Sequence, residues 1–175
     1  MLRAILVTFA LLTPNFVAAQ EEQSEAPMTV ERVAEILLAL DPDTTTDGRN
    51  FQLTIEDLPI VVITDTVQDR IRAMIPVRSA SGIGAAELQR LMQANFDTTL
   101  DARYAVADGR LWSVFIHPLR ALEKDQLISG IGQTVNLVVT YGSLYTSGVG
   151  QFGPGDSQEL HRQLIQRLQD LGEAL

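Results

Sequence analysis

Apolar positions from residue 29 onward recur at helical spacing. Val30, Val33, Ala34, Leu37 and Leu38 fall on one face, and Thr29 stands where an N-capping hydroxyl belongs, so the pattern predicts a first helix over Thr29 to Leu40. Asp41-Pro42-Asp43 ends it, because the residue before a proline is pushed out of the helical region. The period then drops to two. Phe51, Leu53 and Ile55 alternate with polar residues, and Ile60 to Thr64 is β-branched throughout. Ile71, Ala73, Ile75 and Val77 alternate with Arg70, Arg72, Met74 and Arg78, which predicts a strand with one wet face. Short turns at Glu56-Asp57 and Asp65 to Asp69 make the three strands an antiparallel meander.

A small-residue connector over 79–84 leads to a second helix, Ala85 to Asn95, with Leu88, Leu91 and Met92 expected on its buried side and Asn95 as its C-terminal cap. Two more strands, Ala102 to Ala107 and Arg110 to His117, flank Asp108-Gly109, the strongest hairpin turn in the chain. A long third helix is expected from Glu123 to Leu144, with Leu127, Ile128, Ile131, Val135, Val138 and Val139 on its apolar face. Gly130 and Gly132 lie inside it. Each costs about 1 kcal/mol of helix propensity relative to alanine, so they predict a close approach to another backbone. Residues 147–155 hold four glycines and a proline and read as a linker. A last amphipathic helix, 156–175, carries Leu160, Leu164, Leu168 and Leu171 as a narrow seam, with Ile165 beside it. The order α-β-β-β-α-β-β-α plus a C-terminal helix predicts an α+β fold on an antiparallel sheet.

That order, with three stretches of sequence, resembles the type III secretion chaperone-like fold, and within it the YbjN-domain proteins. The stretches are LTIEDLPIVVITDTVQDRIRAMIPV (Leu53 to Val77), LQRLMQANFDTTLDARYAVADGRLWSVFIHPL (Leu88 to Leu119) and the third helix. The resemblance implies one domain over 29–146 that binds protein partners without catalysis. Secretion chaperones of this fold are typically dimers holding an extended effector segment, so it also implies a protein partner and a homodimeric arrangement. YbjN-like members imply a link to stress responses and regulation.

The N-terminus sets this chain apart from cytoplasmic chaperones. Arg3 precedes the apolar run Ala4 to Leu12, Pro14-Asn15 breaks it, and Val17-Ala18-Ala19 supplies a signal-peptidase site. The run is about half the ~20 residues that a membrane-spanning helix needs. Residues 1–19 therefore read as a signal peptide cleaved after Ala19, which sends the chain to the periplasm or outside and leaves no membrane span. Residues 20–28 read as a disordered acidic leader. Losing Arg3 takes the formal charge from −9 to −10.

Composition narrows the chemistry. The acidic balance, 22 Asp+Glu against 13 Lys+Arg, excludes a general nucleic-acid binder, which needs a basic stripe. The absence of cysteine excludes thiolate metal sites, a lipoprotein anchor and a cysteine nucleophile, and makes the fold depend on packing alone in an oxidising compartment. His117 and His161 have no sequence-local partners. Gly148 to Gly153 spells GxGxxG, but Pro154 follows where the dinucleotide fingerprint needs an opening helix. Asp41, Asp43 and Asp47 fall at positions 1, 3 and 7 of a calcium-loop pattern. Thr46 and Gln52 occupy the positions that need glycine and glutamate, so a solvated acidic loop is expected. No catalytic, cofactor or metal residue emerges.

The remaining candidates are binding residues. Arg70, Arg72 and Arg78 form the densest positive patch and are expected on one strand face, solvated or meeting an acidic partner or phosphate. Trp112 is either a helix-covered sheet residue or an interface anchor. Leu160, Leu164 and Leu168 either fold back onto the domain or pair with another chain. The reading is an exported, chaperone-like protein-binding domain. Its alternatives are an envelope small-ligand protein or enzyme with an unrecognised pocket, and a structural envelope component assembling through the last helix.

Overall fold

The structure is a computed structural model that describes residues 25–97, 99–141 and 157–173. The expected signal peptide, most of the acidic leader and the linker with its GxGxxG lie outside the described residues, and the third helix, expected to reach Leu144, instead ends at Val139, where the Thr140 N–H caps it on the Asn136 carbonyl. No described helix is long and apolar enough to cross a membrane.

Helix α1 spans Val30–Leu40, and Thr29 Oγ1 accepts the Arg32 N–H at 3.1 Å to cap it. Its buried side is Val33, Ile36, Leu37 and Leu40, while Leu38 is half-exposed. The expected face was thus rotated: in VERVAEILLAL apolar residues nearly encircle the C-terminal half, and spacing alone cannot choose among them. Strands β1 (Thr45–Thr46), β2 (Asn50–Ile55), β3 (Leu58–Asp65) and β4 (Arg70–Ser79) follow, then α2 (Ala85–Asp97), β5 (Arg103–Ala107), β6 (Arg110–His117), α3 (Lys124–Val139) and α4 (Ser157–Gly172). The two-residue β1, absent from the expected order, pairs with β2 inside what reads as loop.

The six strands form one antiparallel sheet in the order β1-β2-β3-β4-β6-β5. Two hairpins close through two-residue turns in which both residues have positive φ, Glu56-Asp57 (50° and 61°) and Asp108-Gly109 (50° and 69°). That geometry matches the twist of the flanking strands. In the loop before β2, Asp47 accepts the N–H groups of Arg49 and Asn50 and the Asn50 amide, and Asp41 accepts those of Asp43 and Thr54. Two of the three carboxylates of the calcium-like pattern, Asp41 and Asp47, are therefore used to hold the backbone of this region. Those bonds, the Asn50 side-chain amide first, hold the Asp47 carboxyl down at about 2. A carboxyl depressed in the folded state favours folding above its ordinary value and loses that contribution as pH falls through about 2. Urea midpoints are expected to fall between pH 4 and pH 2 by less in Asp47→Asn than in the wild type; parallel profiles would refute this.

One face of the sheet is roofed. Phe51, Leu53, Ile55, Ile60, Val62, Ile71, Ala73, Ile75, Tyr104, Leu111 and Phe115 point into a core shared with α1 and α3. Helix α3 is buried from Leu127 to Leu137, Ser129 apart, because it is covered twice, by β4 and β6 on one side and by α4 on the other. The two glycines mark these two approaches. A Cβ on Gly130 would stand 2.7 Å from the Phe115 ring, and one on Gly132 would stand 2.8 Å from Ile165 Cγ1. The close approach expected from sequence is present, against side chains of β6 and α4.

Ser113, fully buried on β6 opposite Ile75 and Tyr104, has no partner for its hydroxyl among the described residues. A buried, unmade hydrogen bond costs about 1–3 kcal/mol. Ser113→Ala is expected to raise stability by about 1 kcal/mol, seen as a higher urea midpoint at unchanged slope. A lower midpoint would mean that the hydroxyl has a partner.

Candidate protein-binding surfaces

Residues on the other face of the sheet alternate with the core set, and no described helix packs on them. The strand register places them in rows. Val61, Met74 and Val114 are cross-strand neighbours on β3, β4 and β6. Ile63, Arg72 and Ile116 form the next row, and Pro76, Trp112 and Ala105 the row on the other side. Eight of these nine residues are apolar. Seven are only half-buried by their neighbours and Ile116 is 52% exposed. Trp112 lies in this field, not under a helix; its Nε1 donates to the Ala107 carbonyl at 3.2 Å, and the Arg110 guanidinium sits 5.8 Å from the ring centroid.

The three-arginine patch expected from sequence is divided. Arg70 and Arg72 point outward with the apolar rows. A bulge between Pro76 and Arg78 inserts one residue, so Pro76 opposes Trp112 while Arg78 opposes Leu111. One extra residue reverses the side to which later side chains point. Arg78 accordingly turns to the helix side, where it reaches Tyr141 and, at 3.9 Å, Glu87. Tyr141 also donates to Glu87, and burial, with that hydrogen bond, raises the Tyr141 pKa above its ordinary value. The cluster ties the start of α2 to the ends of β4 and α3.

Helix α2 presents the second surface. Leu91 and Ala94 are buried, but Leu88 and Met92, expected inside, are 42% and 48% exposed, and Phe96 is 85% exposed. These three residues form an outward stripe at i, i+4 and i+8, with Leu100 and Val106 also exposed nearby in sequence. Asn95 is not a terminal cap, since the helix continues to Asp97. Its amide instead pairs with the edge strand: Asn95 Oδ1 accepts the Tyr104 N–H at 2.7 Å and Nδ2 donates to the Tyr104 carbonyl at 3.0 Å. The side chain thus occupies a position on the edge of β5 where another strand would add. Asn95→Ala is expected to cost about 2 kcal/mol and to promote edge-to-edge association. Denaturation and light scattering check this; an unchanged midpoint with an unchanged mass would refute the plug.

No protein-family model and no curated protein sequence matches the chain. Solved structures do. The ExsC–ExsE complex aligns with a TM-score of 0.54 at 11% identity, over 70% of this chain and 99% of that one. The HopA1–SchA chaperone–effector complex aligns at 0.50 and 9% identity, over 63% and 93%. The Yersinia pestis type III secretion chaperone SycH, in complex with a fragment of YscM2, aligns at 0.46 and 16% identity, over 61% and 96%. This is the type III secretion chaperone-like fold.

Within this chaperone-like fold the other candidates take quiet positions. His117 stacks on Phe115, with ring centroids 6.0 Å apart, and its Nδ1–H donates to the Pro118 carbonyl at 2.8 Å. Among the described residues no three His, Asp or Glu side chains come together as a metal-holding group. Leu164 and Leu168 are buried in the chain's own core, where α4 packs on α3 and α1, and Lys124 Nζ donates to the Gly172 carbonyl at 3.2 Å. Of the two arrangements open for the seam, folding back is the one in the structure; the side chain of Leu160 lies outside the described residues. The α2 stripe escaped sequence reasoning because Leu88 and Met92 have the residue types and spacing of a core face. Only the choice of Leu91 and Ala94 as the buried pair reveals it.

Proposed function

We propose that the chain is a non-enzymatic, chaperone-like module that binds a protein partner on the open face of its sheet. The observation that carries this reading is the uncovered field of eight apolar residues around Arg72, on a sheet whose other face carries α1 and α3. Exposed apolar surface of this extent on an otherwise charged chain has a cost in water that a partner removes. The fold supports the reading, since proteins solved with it are in complexes with protein partners. A photo-crosslinking residue at Val114 should give protein adducts in the native host, whereas one at exposed Asp170 should give none. Equal labelling at both positions would refute the assignment.

We further propose that the role lies in the periplasm or outside, in envelope stress response or regulation; the stretch that reads as an export signal and the resemblance to YbjN-domain proteins support this reading. N-terminal sequencing of the protein from a periplasmic fraction should begin at Gln20. The α2 stripe favours a second role, self-association, because an apolar stripe is complementary to its own copy about a two-fold axis. Met92→Asp should leave the melting temperature unchanged and halve the mass measured by light scattering; a wild-type protein that is already monomeric would refute it.

A further inference from the structure

We infer that the segment received by the open sheet face is acidic as well as apolar, and that it places a carboxylate on Arg72. This rests on the proposed protein-binding role and adds the chemistry of the partner. Net charge makes the point: the chain has 22 acidic and 13 basic residues, yet this face has the opposite sign. The ionisable residues at outward positions of the six strands are Arg70, Arg72, Arg103 and Arg110 against Asp65 alone. Asp65 is already occupied, its Oδ1 accepting the N–H groups of Val67 and Gln68.

The arginines are not equivalent. Arg103 is curled onto the carbonyls of Leu100 and Ala102, Arg70 donates to the Asp69 carbonyl, and Arg110 lies over Trp112. The Arg72 side chain has no hydrogen bond or ion pair among the described residues. It stands between Ile63 and Ile116 on the two adjoining strands, with Met74 next along its own. A guanidinium set among apolar side chains forms a charge-assisted, bidentate pair with a carboxylate that arrives together with apolar neighbours. A bilayer calls for a different layout, an apolar centre with cations at its rim, and an anionic surface repels a chain of this net charge.

The test is selection of 15-residue peptides from a random display library on the purified protein, with Arg72→Glu and Val114→Asp as parallel targets. Thermal melts establish that both variants are folded; Arg72→Gln replaces the first if it is not. The expected result is enrichment, on the wild type, of peptides that interleave apolar residues with Asp or Glu. On Arg72→Glu the acidic preference should reverse to Lys or Arg, and wild-type-selected peptides should bind about tenfold more weakly. Apolar peptides with no acidic preference, bound equally by Arg72→Glu, would overturn this inference and leave protein binding at the face standing. The same peptides enriched on the wild type and on Val114→Asp would overturn both. Cosedimentation with phosphatidylglycerol vesicles that depends on Arg72, without peptide enrichment, would assign the face to a membrane and overturn the inference.

Discussion

Leu164→Asp is expected to lower the stability of the protein by about 4 kcal/mol, because a carboxylate would be forced into an apolar seam that is sealed on both sides. Leu164 is 5% exposed and Leu168 one turn on is 4% exposed, and both belong to the core where α4 packs on α3 and α1. Between them Ile165 lies against the bare backbone of Gly132, so the two helices are too close for water to follow the charge in. The cheapest response is for α4 to leave. That would uncover the α3 flank and cut the Lys124 bond to Gly172, while the exposed Arg167–Glu56 pair would retain little on its own. Urea denaturation gives the size of the effect, and faster proteolysis after residue 157 would locate it. The same substitution at Leu171, half-exposed on the same helix, should cost less than about 1 kcal/mol. Equal costs at the two positions would mean that α4 is not docked.

Gly130→Ala is expected to cost about 2 kcal/mol even though alanine is the better helix former. The new methyl group would stand 2.7 Å from Cδ1 and Cε1 of Phe115 and 2.8 Å from Cγ. These atoms belong to a rigid ring, 3% exposed, on a strand with neighbours on both sides, so the ring cannot swing away. Overpacking of this kind costs about 1–3 kcal/mol, and the gain of about 1 kcal/mol in propensity offsets only part of it when α3 must shift against the sheet. Phe115→Leu should recover part of the loss in the double variant, since the two changes act on one contact. A single Gly130→Ala as stable as the wild type would remove the argument.

The strands were legible because two-fold alternation survives in single sequences. Phe51, Leu53 and Ile55 read inward and lie inward, and so do Ile71, Ala73 and Ile75. Legibility failed where a surface is apolar for reasons other than the core. Leu88 and Met92 have core chemistry at helical spacing, and nothing local distinguishes them from Leu91. The three arginines failed differently: they keep perfect alternation, but the bulge at Val77 is a property of pairing with β6 and leaves no local mark. Asn95 could be read as a cap because its true partner, Tyr104, is brought to it only by folding. The outward field on the sheet was half visible. Trp112, Val114 and Ile116 share a strand face in the sequence, but their junction with Val61, Met74 and Ile63 requires the register.

The covering of α3 on two sides has a consequence for the order of events after synthesis. Met28, just before α1, and Leu168, late in α4, belong to one buried cluster, with the sheet and α3 between them. A nascent chain therefore cannot close this cluster until Leu168 has left the ribosome. Until then α3 has one flank open and its glycine-softened middle unsupported. The early strands can pair as they emerge, but the buried cluster around α3 closes only once α4 is there to cover its second flank.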